Sequence, residues 1–556
     1  MNRTSLALGA LTVIAVVGCA GTSSRGTPVA CAELPASIAA MKNVRITAAT
    51  AVAGDGKGTP AHCQVNGVAN ERTGIDGRQY AIGFEMRLPV EWNRRFLHQV
   101  NGGNDGKVVP ALGALQIFPT NGLQRGFAVI SSDSGHREDD PANNPAGLVK
   151  SNVFGLDPQA RRDYGYSADD TMFGVAQALI RAHYGQAPAH NYMAGCSNGG
   201  RHALVAATRY GDRYDGILAG APGFNLPKAA VQHAWDVQSW QMADPDIRKA
   251  FSPEDMKLVA SKVLERCDAL DGAADGIVAD LPRCQGAFKL AELQCGGEKT
   301  AQCLGARQVT ALQRAFAGAR NAKGESLYSD WSWDAGVGSG NWRFWKLESQ
   351  IPPWNRLPLI ATMGAGSLSY IFTTPPTRTG GTPDDLVRFL TGFDFDRDAP
   401  RIHAVDATYG ESAMQFMAPP DVDSPKLAAF RARGGKLIVY HGNSDAVFSV
   451  NDTARWFARL QANAAAEGAR FYPVPGMAHC AGGPATDQFD ALGALVDWVE
   501  QGKAPQALMA SVDAQNKELP AGWSKARTRP LCAWPQVARY KGGDLESAAS
   551  FRCEAP

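Results

Sequence analysis

Apolar and polar positions alternate across residues 78–89, with Tyr80, Ile82, Phe84, Met86 and Leu88 on one side, which predicts an early strand. Short segments at 95–100 and 127–132 supply two further strands, and 169–184 a helix. Residues 190–194 can extend as a strand; good helix formers follow at 200–210, then a glycine-rich apolar strand at 214–221. The strand–helix rhythm then stops for about 200 residues rich in Trp, Gly and Pro, and resumes at Lys436. Residues 436–442 form an unbroken apolar run of the kind buried on both faces of a parallel sheet, and 470–476 supply another short strand. The pattern predicts an α/β core interrupted by a large inserted lid, with no internal repeat.

At the junction between strand 190–194 and the helix after it stands Gly195-Cys196-Ser197-Asn198-Gly199. A G-x-S-x-G sequence between a strand and a helix is a nucleophile elbow, whose turn is so sharp that side chains beside the serine would collide. Asp445 follows strand 436–442, and His479 follows strand 470–476. The order Ser, Asp, His is that of α/β-hydrolases. Chemistry asks for these residue types: a hydroxyl attacks only when an imidazole accepts its proton, and a carboxylate fixes the tautomer and stabilises the imidazolium.

Cys196 precedes Ser197 and Cys480 follows His479. If hydroxyl and imidazole meet, the two sulfurs are within bridging reach. Setting Cys19 aside, an even number of the 11 cysteines remains, and local spacing suggests Cys31–Cys63, Cys267–Cys284, Cys295–Cys303 and Cys532–Cys553. Disulfides suit an exported protein. The start agrees: a basic Met1-Asn2-Arg3, an apolar run at 6–17 too short to span a bilayer, and Val16-Val17-Gly18-Cys19, which looks like a bacterial lipobox. Cys19 is then the expected lipidation site, with residues 1–19 a lipoprotein signal peptide, residues 20–30 a polar tether and the outer membrane the expected address. An ordinary signal peptide cut near Ala20, giving a periplasmic or secreted protein, is the alternative.

Asp268, Asp271 and Asp275 crowd one glycine-containing loop. Anions so close repel unless a cation lies between them, and hard oxygen donors suit calcium, although the spacing is not that of an EF-hand. A solvated acidic loop beside a disulfide is the plainer reading. A net charge of +1, with no basic stripe or aromatic platform, argues against nucleic acid as a partner.

With these residues in hand, the chain resembles the tannase/feruloyl esterase family from about Cys31 to Cys553, on Gly195–Arg201, Gly442–Asp445, Gly476–Cys480 and the 268–277 loop. Arg72–Gly77, Phe154–Arg161, Ser332–Gly336 and Phe393–Asp396 resemble its bacterial branch of mono(2-hydroxyethyl) terephthalate hydrolases. The resemblance implies an α/β-hydrolase core at 20–223 and 424–556, with a lid at 224–423. It implies Ser197 as nucleophile, His479 as general base and acid, and Asp445 as its orienter. Backbone amides of Asn198 and of Gly102 or Gly103 would form the oxyanion hole. Structural Ca2+ would be held by Asp268, Asp271 and Asp275 with the carbonyls of Ala273 and Ile277.

Arg388 and Phe393 match an arginine and a phenylalanine that grip a substrate carboxylate and ring in that branch, with one extra residue between them; a bidentate arginine is suited to a carboxylate. Leu368 stands nearest to a pocket tryptophan of that branch, and Asn198 replaces an acidic residue. The expected activity is hydrolysis of esters of small aromatic carboxylic acids through an acyl-enzyme, with the terephthalate monoester, feruloyl and gallate esters as candidates. The membrane is expected as a partner only through the lipid anchor, and a monomer is the default assembly. A non-catalytic lipoprotein binding module is the alternative of a different class, against which the intact triad speaks.

Overall fold

A computed structural model describes Met1 and residues 27–556. The lipobox and Cys19 lie outside the described residues. Nine strands form one sheet, β1 (Val44–Val52), β2 (His62–Thr73), β3 (Gln79–Pro89), β4 (Arg95–Gln99), β5 (Ala128–Ser132), β6 (His190–Cys196), β7 (Gly216–Gly220), β8 (Lys436–Gly442) and β9 (Ala469–Val474), in the order β1-β2-β3-β5-β4-β6-β7-β8-β9. The pairs β1–β2, β2–β3 and β3–β5 are antiparallel; from β5 through β4 to β9 every pair is parallel. The helix Ala168–Tyr184 lies against one face and Ala491–Gln501 against the other, and the inner strands β5 and β7 are buried along their whole length. This is an α/β-hydrolase sheet, as the run of strands and helices predicts.

Each predicted strand forms, within two residues of its expected ends. The first two strands give little sequence signal because the buried face of β2 is made of Cys63, Val65, Gly67 and Ala69, side chains too small to stand out against their polar neighbours. β3, the partner of β2, carries the bulky half of the interface.

Between β7 and β8 the chain leaves the sheet and builds helices Leu226–Ala243, Pro253–Cys267, Ala306–Phe316, Leu359–Gly366 and Pro383–Thr391 around Trp240, Val259, Leu312 and Leu386. Val149, Val153, Phe154 and Tyr164, which precede the insertion in sequence, belong to the same apolar cluster. The 154–161 motif explains how. Arg161 is 1% exposed and donates to the carbonyls of Gly155 (2.6 Å) and Tyr370 (2.8 Å), tying the early segment to the lid.

Among the described residues five disulfides form, pairing Cys31–Cys63, Cys196–Cys480, Cys267–Cys284, Cys295–Cys303 and Cys532–Cys553. Among the described residues, no helix is long and apolar enough to cross a membrane.

Candidate active site

Ser197 follows β6 at φ 66°, ψ −124° and stands at the N-cap of the helix Asn198–Arg209. A non-glycine residue adopts that backbone only when its surroundings impose it. The glycines alongside are steric necessities: a Cβ on Gly199 would lie 2.4 Å from the Val100 carbonyl oxygen, and one on Gly200 would lie 2.2 Å from that of Gly220. The serine is thus pushed out at the carboxyl edge of the parallel strands.

The loops after β8 and β9 bring the partners. The Ser197 hydroxyl donates to His479 Nε2 (2.8 Å), and His479 Nδ1–H donates to Asp445 Oδ2 (2.8 Å). Asp445 is buried, and its other oxygen accepts the amides of Val447 (2.7 Å) and Phe448 (3.0 Å). Burial alone would raise this carboxyl; His479 and His441 outweigh that and hold it well below the usual carboxylate range. The aspartate therefore stays ionised at neutral pH, fixing the tautomer that leaves Nε2 free to accept a proton. The Cys196–Cys480 bridge, Cα to Cα 6.0 Å, joins the residues flanking the serine and the histidine. From the lid, Trp345 packs edge-on against His479, ring centres 4.9 Å apart.

Gly102 and Gly103 border the same cavity, and a Cβ on Gly102 would lie 3.6 Å from Ser197 Cβ. Among the described residues, no acceptor takes the amide N–H of Gly102, Gly103 or Asn198. Unpaired donors beside a nucleophile are the physical requirement for stabilising an oxyanion. The Asn198 side chain turns away, donating to Asp105 Oδ2 (2.7 Å) and accepting from Arg201 Nε (2.6 Å).

Two cavities meet at Ser197. The outer one, about 810 Å³, is open and lined by polar groups such as Gln99, Gln116, Asn341 and Asn516 together with Phe344 and Trp345. The inner one is a slot of about 40 Å³ beneath the lid, walled by Leu226, Leu359, Ile360, Met363, Phe372 and Phe448. None of the described residues lining either cavity is Arg or Lys.

The expected substrate grip is not where the sequence put it. Arg388 lies on the exposed face of Pro383–Thr391, its side chain 75% exposed and paired with Asp385 (2.9 Å), and lines neither cavity. Its helix is amphipathic and buries Leu386 and Leu390 instead, which leaves position 388 in solvent. Phe393 is buried between Phe389 and Phe395 in the lid core. Leu368 is fully buried and does not line the slot; Phe372, one turn on, does. The sequence reading missed Phe372, Trp345 and Phe448. Only Phe448 had a local signal, three residues after Asp445 in an apolar run.

In the acidic loop, the donor set is hard oxygen throughout, which fits calcium in kind. Burial first, and then the neighbouring aspartates, raise Asp271 to about 7; burial also raises Asp268. Neither carboxylate has a basic ion-pair partner among the described residues. Asp275 is different: its side chain pairs with Arg529 and its carbonyl accepts from Arg527 (2.7 Å). Ala273 and Ile277 stand beside these acids and are both buried. Among the described residues, no three His, Cys, Asp or Glu side chains are gathered as a preformed metal site.

The fold and the Ser–His–Asp relay define a carboxylic ester hydrolase of the α/β-hydrolase class. The chain belongs to the tannase and feruloyl esterase family, whose model matches residues 63–554. It is 43% identical to a mono(2-hydroxyethyl) terephthalate hydrolase of Piscinibacter sakaiensis, over 89% of this chain and 85% of that protein. A probable feruloyl esterase B-2 of Aspergillus fumigatus is 25% identical over 85% of this chain and 83% of that protein. The fold is shared with feruloyl esterase B of Aspergillus oryzae, at TM-score 0.72 and 22% identity, over 94% of this chain and all (100%) of that one.

Proposed function

We propose that this protein is an exported serine esterase cleaving esters of small aromatic carboxylic acids, with Ser197, His479 and Asp445 as its catalytic residues. One observation carries the reading: a serine in hydrogen-bond contact with an Asp-held imidazole, beside three amides without acceptors. Ser197 Oγ attacks the ester carbonyl as His479 Nε2 takes its proton. The carbonyl oxygen gains the negative charge, stabilised by the amide of Asn198 and that of Gly102 or Gly103. When the tetrahedral adduct collapses, the carbon–oxygen bond to the alcohol breaks and the alkoxide takes the proton from His479. Water, deprotonated by the same imidazole, then releases the acid from the acyl-enzyme.

The apolar inner slot suits the acyl group, and the open outer cavity, of mixed polar and apolar lining, suits the alcohol. The 43% identical relative supports the terephthalate monoester as substrate. Cavity walls without Arg or Lys favour the second reading, a feruloyl or gallate type of acyl group carrying no charge. Kinetics on methyl ferulate, a gallate ester and the terephthalate monoester decide between them. Labelling by a fluorophosphonate tests the chemistry itself, since absence of an adduct on Ser197 would leave only a binding module.

Further proposals concern the setting. Ca2+ is taken to sit at Asp268, Asp271 and Asp275 with the Ala273 and Ile277 carbonyls as a structural ion, supported by the buried carboxylate of Asp271 and the partly buried one of Asp268, neither in a direct ion pair among the described residues. Calorimetric titration of chelator-treated protein with Ca2+ tests this, and no heat of binding would refute it. Export, supported by five disulfides, and lipidation at Cys19 are tested by mass spectrometry of the mature amino terminus.

A further inference from the structure

His233 lies on the lid helix Leu226–Ala243, 6% exposed, and lines the slot that opens on Ser197. Neither ring nitrogen makes a hydrogen bond of ordinary geometry, although the Val447 backbone lies close enough to act on the ring. Burying an imidazole with both nitrogens unsatisfied costs free energy that an apolar side chain would not. The neighbouring helix is shaped around it: a Cβ on Gly364 would fall 2.6 Å from His233 Nδ1, so that residue must be glycine for the ring to fit. Two other polar side chains of the slot are already engaged. Ser367 donates to Asn104 Oδ1 (3.2 Å), and Asn198 is held by Asp105 and Arg201.

The state of the ring restricts what it can recognise. Burial, and next the positive charge of Lys346, push the imidazole down to about 3, so it is neutral at any pH where the esterase works. A neutral imidazole has one N–H donor and one lone pair. It has no charge to offer a carboxylate, and the nearby Lys346 is already paired with Asp236. A hydroxyl meets it on equal terms, donating to the lone pair or accepting from the N–H. The slot holds about three water-sized groups, enough for the hydroxyl-bearing edge of a planar ring, and a whole ring enters from Ser197 only as the slot widens.

We propose that His233 is a specificity-determining residue that hydrogen-bonds a neutral hydroxyl on the aromatic ring of the acyl group, selecting phenolic acyl esters over unsubstituted and carboxylate-bearing ones. The proposal rests on the esterase reading above and adds to it the acyl class. It also explains why an exposed Arg388 takes no part: the far end of the acyl group is read by an uncharged ring on another helix.

The test is steady-state hydrolysis of methyl 4-hydroxycinnamate, methyl cinnamate and the terephthalate monoester by wild type, His233→Leu and His233→Gln. Wild type is expected to prefer the hydroxylated ester about tenfold or more over methyl cinnamate in kcat/KM, mostly through KM. In His233→Leu that ratio is expected to fall to about one, and His233→Gln, which keeps a donor and an acceptor, to recover part of it. A ratio that does not move in His233→Leu overturns the proposal, whether or not both rates fall, because a merely structural histidine would slow both esters alike. A wild type that prefers the monoester also overturns it. Failure to cleave all three esters overturns the esterase reading itself, and is distinguished from the other results by the inactive wild type.

Discussion

Asp334, a lid residue, accepts a hydrogen bond from the hydroxyl of Ser444 at 2.8 Å. The same carboxylate oxygen accepts the amide of Gly476 at 2.8 Å, and the side chain is fully buried. Ser444 adjoins Asp445 and Gly476 begins the turn to His479, so one lid carboxylate ties together the two loops that carry the proton relay. Asp334→Ala would leave a buried hydroxyl and a buried amide unpaired, at about 1–3 kcal/mol each. The expected outcome is a lowered melting temperature and a drop in kcat that exceeds the change in KM. Unaltered kcat in a folded variant would show that the lid does not position the relay.

The Cys196–Cys480 bridge closes a loop of 284 residues. In the chain-entropy picture, a cross-link over so long a loop contributes on the order of 5 kcal/mol, an upper figure because other disulfides already restrict the unfolded chain. It also holds the elbow against the histidine loop. The Cys196→Ala/Cys480→Ala double variant is expected to melt earlier and to lose at least tenfold in kcat. Calorimetry and kinetics on one preparation separate the two effects, and full activity below the melting range would limit the bridge to stability.

Legibility followed the reach of the physics. The elbow was readable because its geometry is local: Ser197 needs its left-handed backbone, and Gly199 and Gly200 need their bare Cα atoms, within a few residues. Asp445 and His479 were readable because each ends a strand of apolar residues. The slot was not, because Leu226, Phe372 and Phe448 come from separate segments of a lid without periodic pattern. Arg388 failed for the opposite reason: a side chain suited to a carboxylate was judged by type and spacing, whereas its helix face decides where it points. Asp275 shows the same limit, since its partner Arg529 lies 254 residues away.

Two substitutions check the revised substrate grip. Arg388 is exposed and, among the described residues, paired with Asp385, an ion pair of the surface kind worth about 0–1 kcal/mol. Arg388→Ala is expected to change kcat/KM by less than twofold on every aromatic ester. Phe372→Ala should lower kcat/KM at least tenfold, because it removes a wall of the slot and fully burying a Phe side chain is worth about 1.5–3 kcal/mol. A selective loss on the terephthalate monoester in Arg388→Ala would restore the carboxylate clamp.

Asp133 gives the protein a pH dependence of known sign. Its Oδ1 accepts the amides of Gly83 and Gly135, both at 2.9 Å, but burial outweighs these bonds and pushes the carboxyl up to about 8. In the unfolded chain the same group titrates near about 3.9. Between those values the folded state keeps a proton that the unfolded state releases. The stabilising contribution is therefore complete below about pH 4 and is lost as the pH rises to about 8. Asp133→Asn keeps an oxygen for both amides and does not titrate. Relative to wild type, the variant should gain melting temperature steadily from about pH 5 to about pH 8. Parallel curves for the two proteins over that range would mean that Asp133 is ionised in the folded state, and that groups around it supply a charge the burial argument lacks.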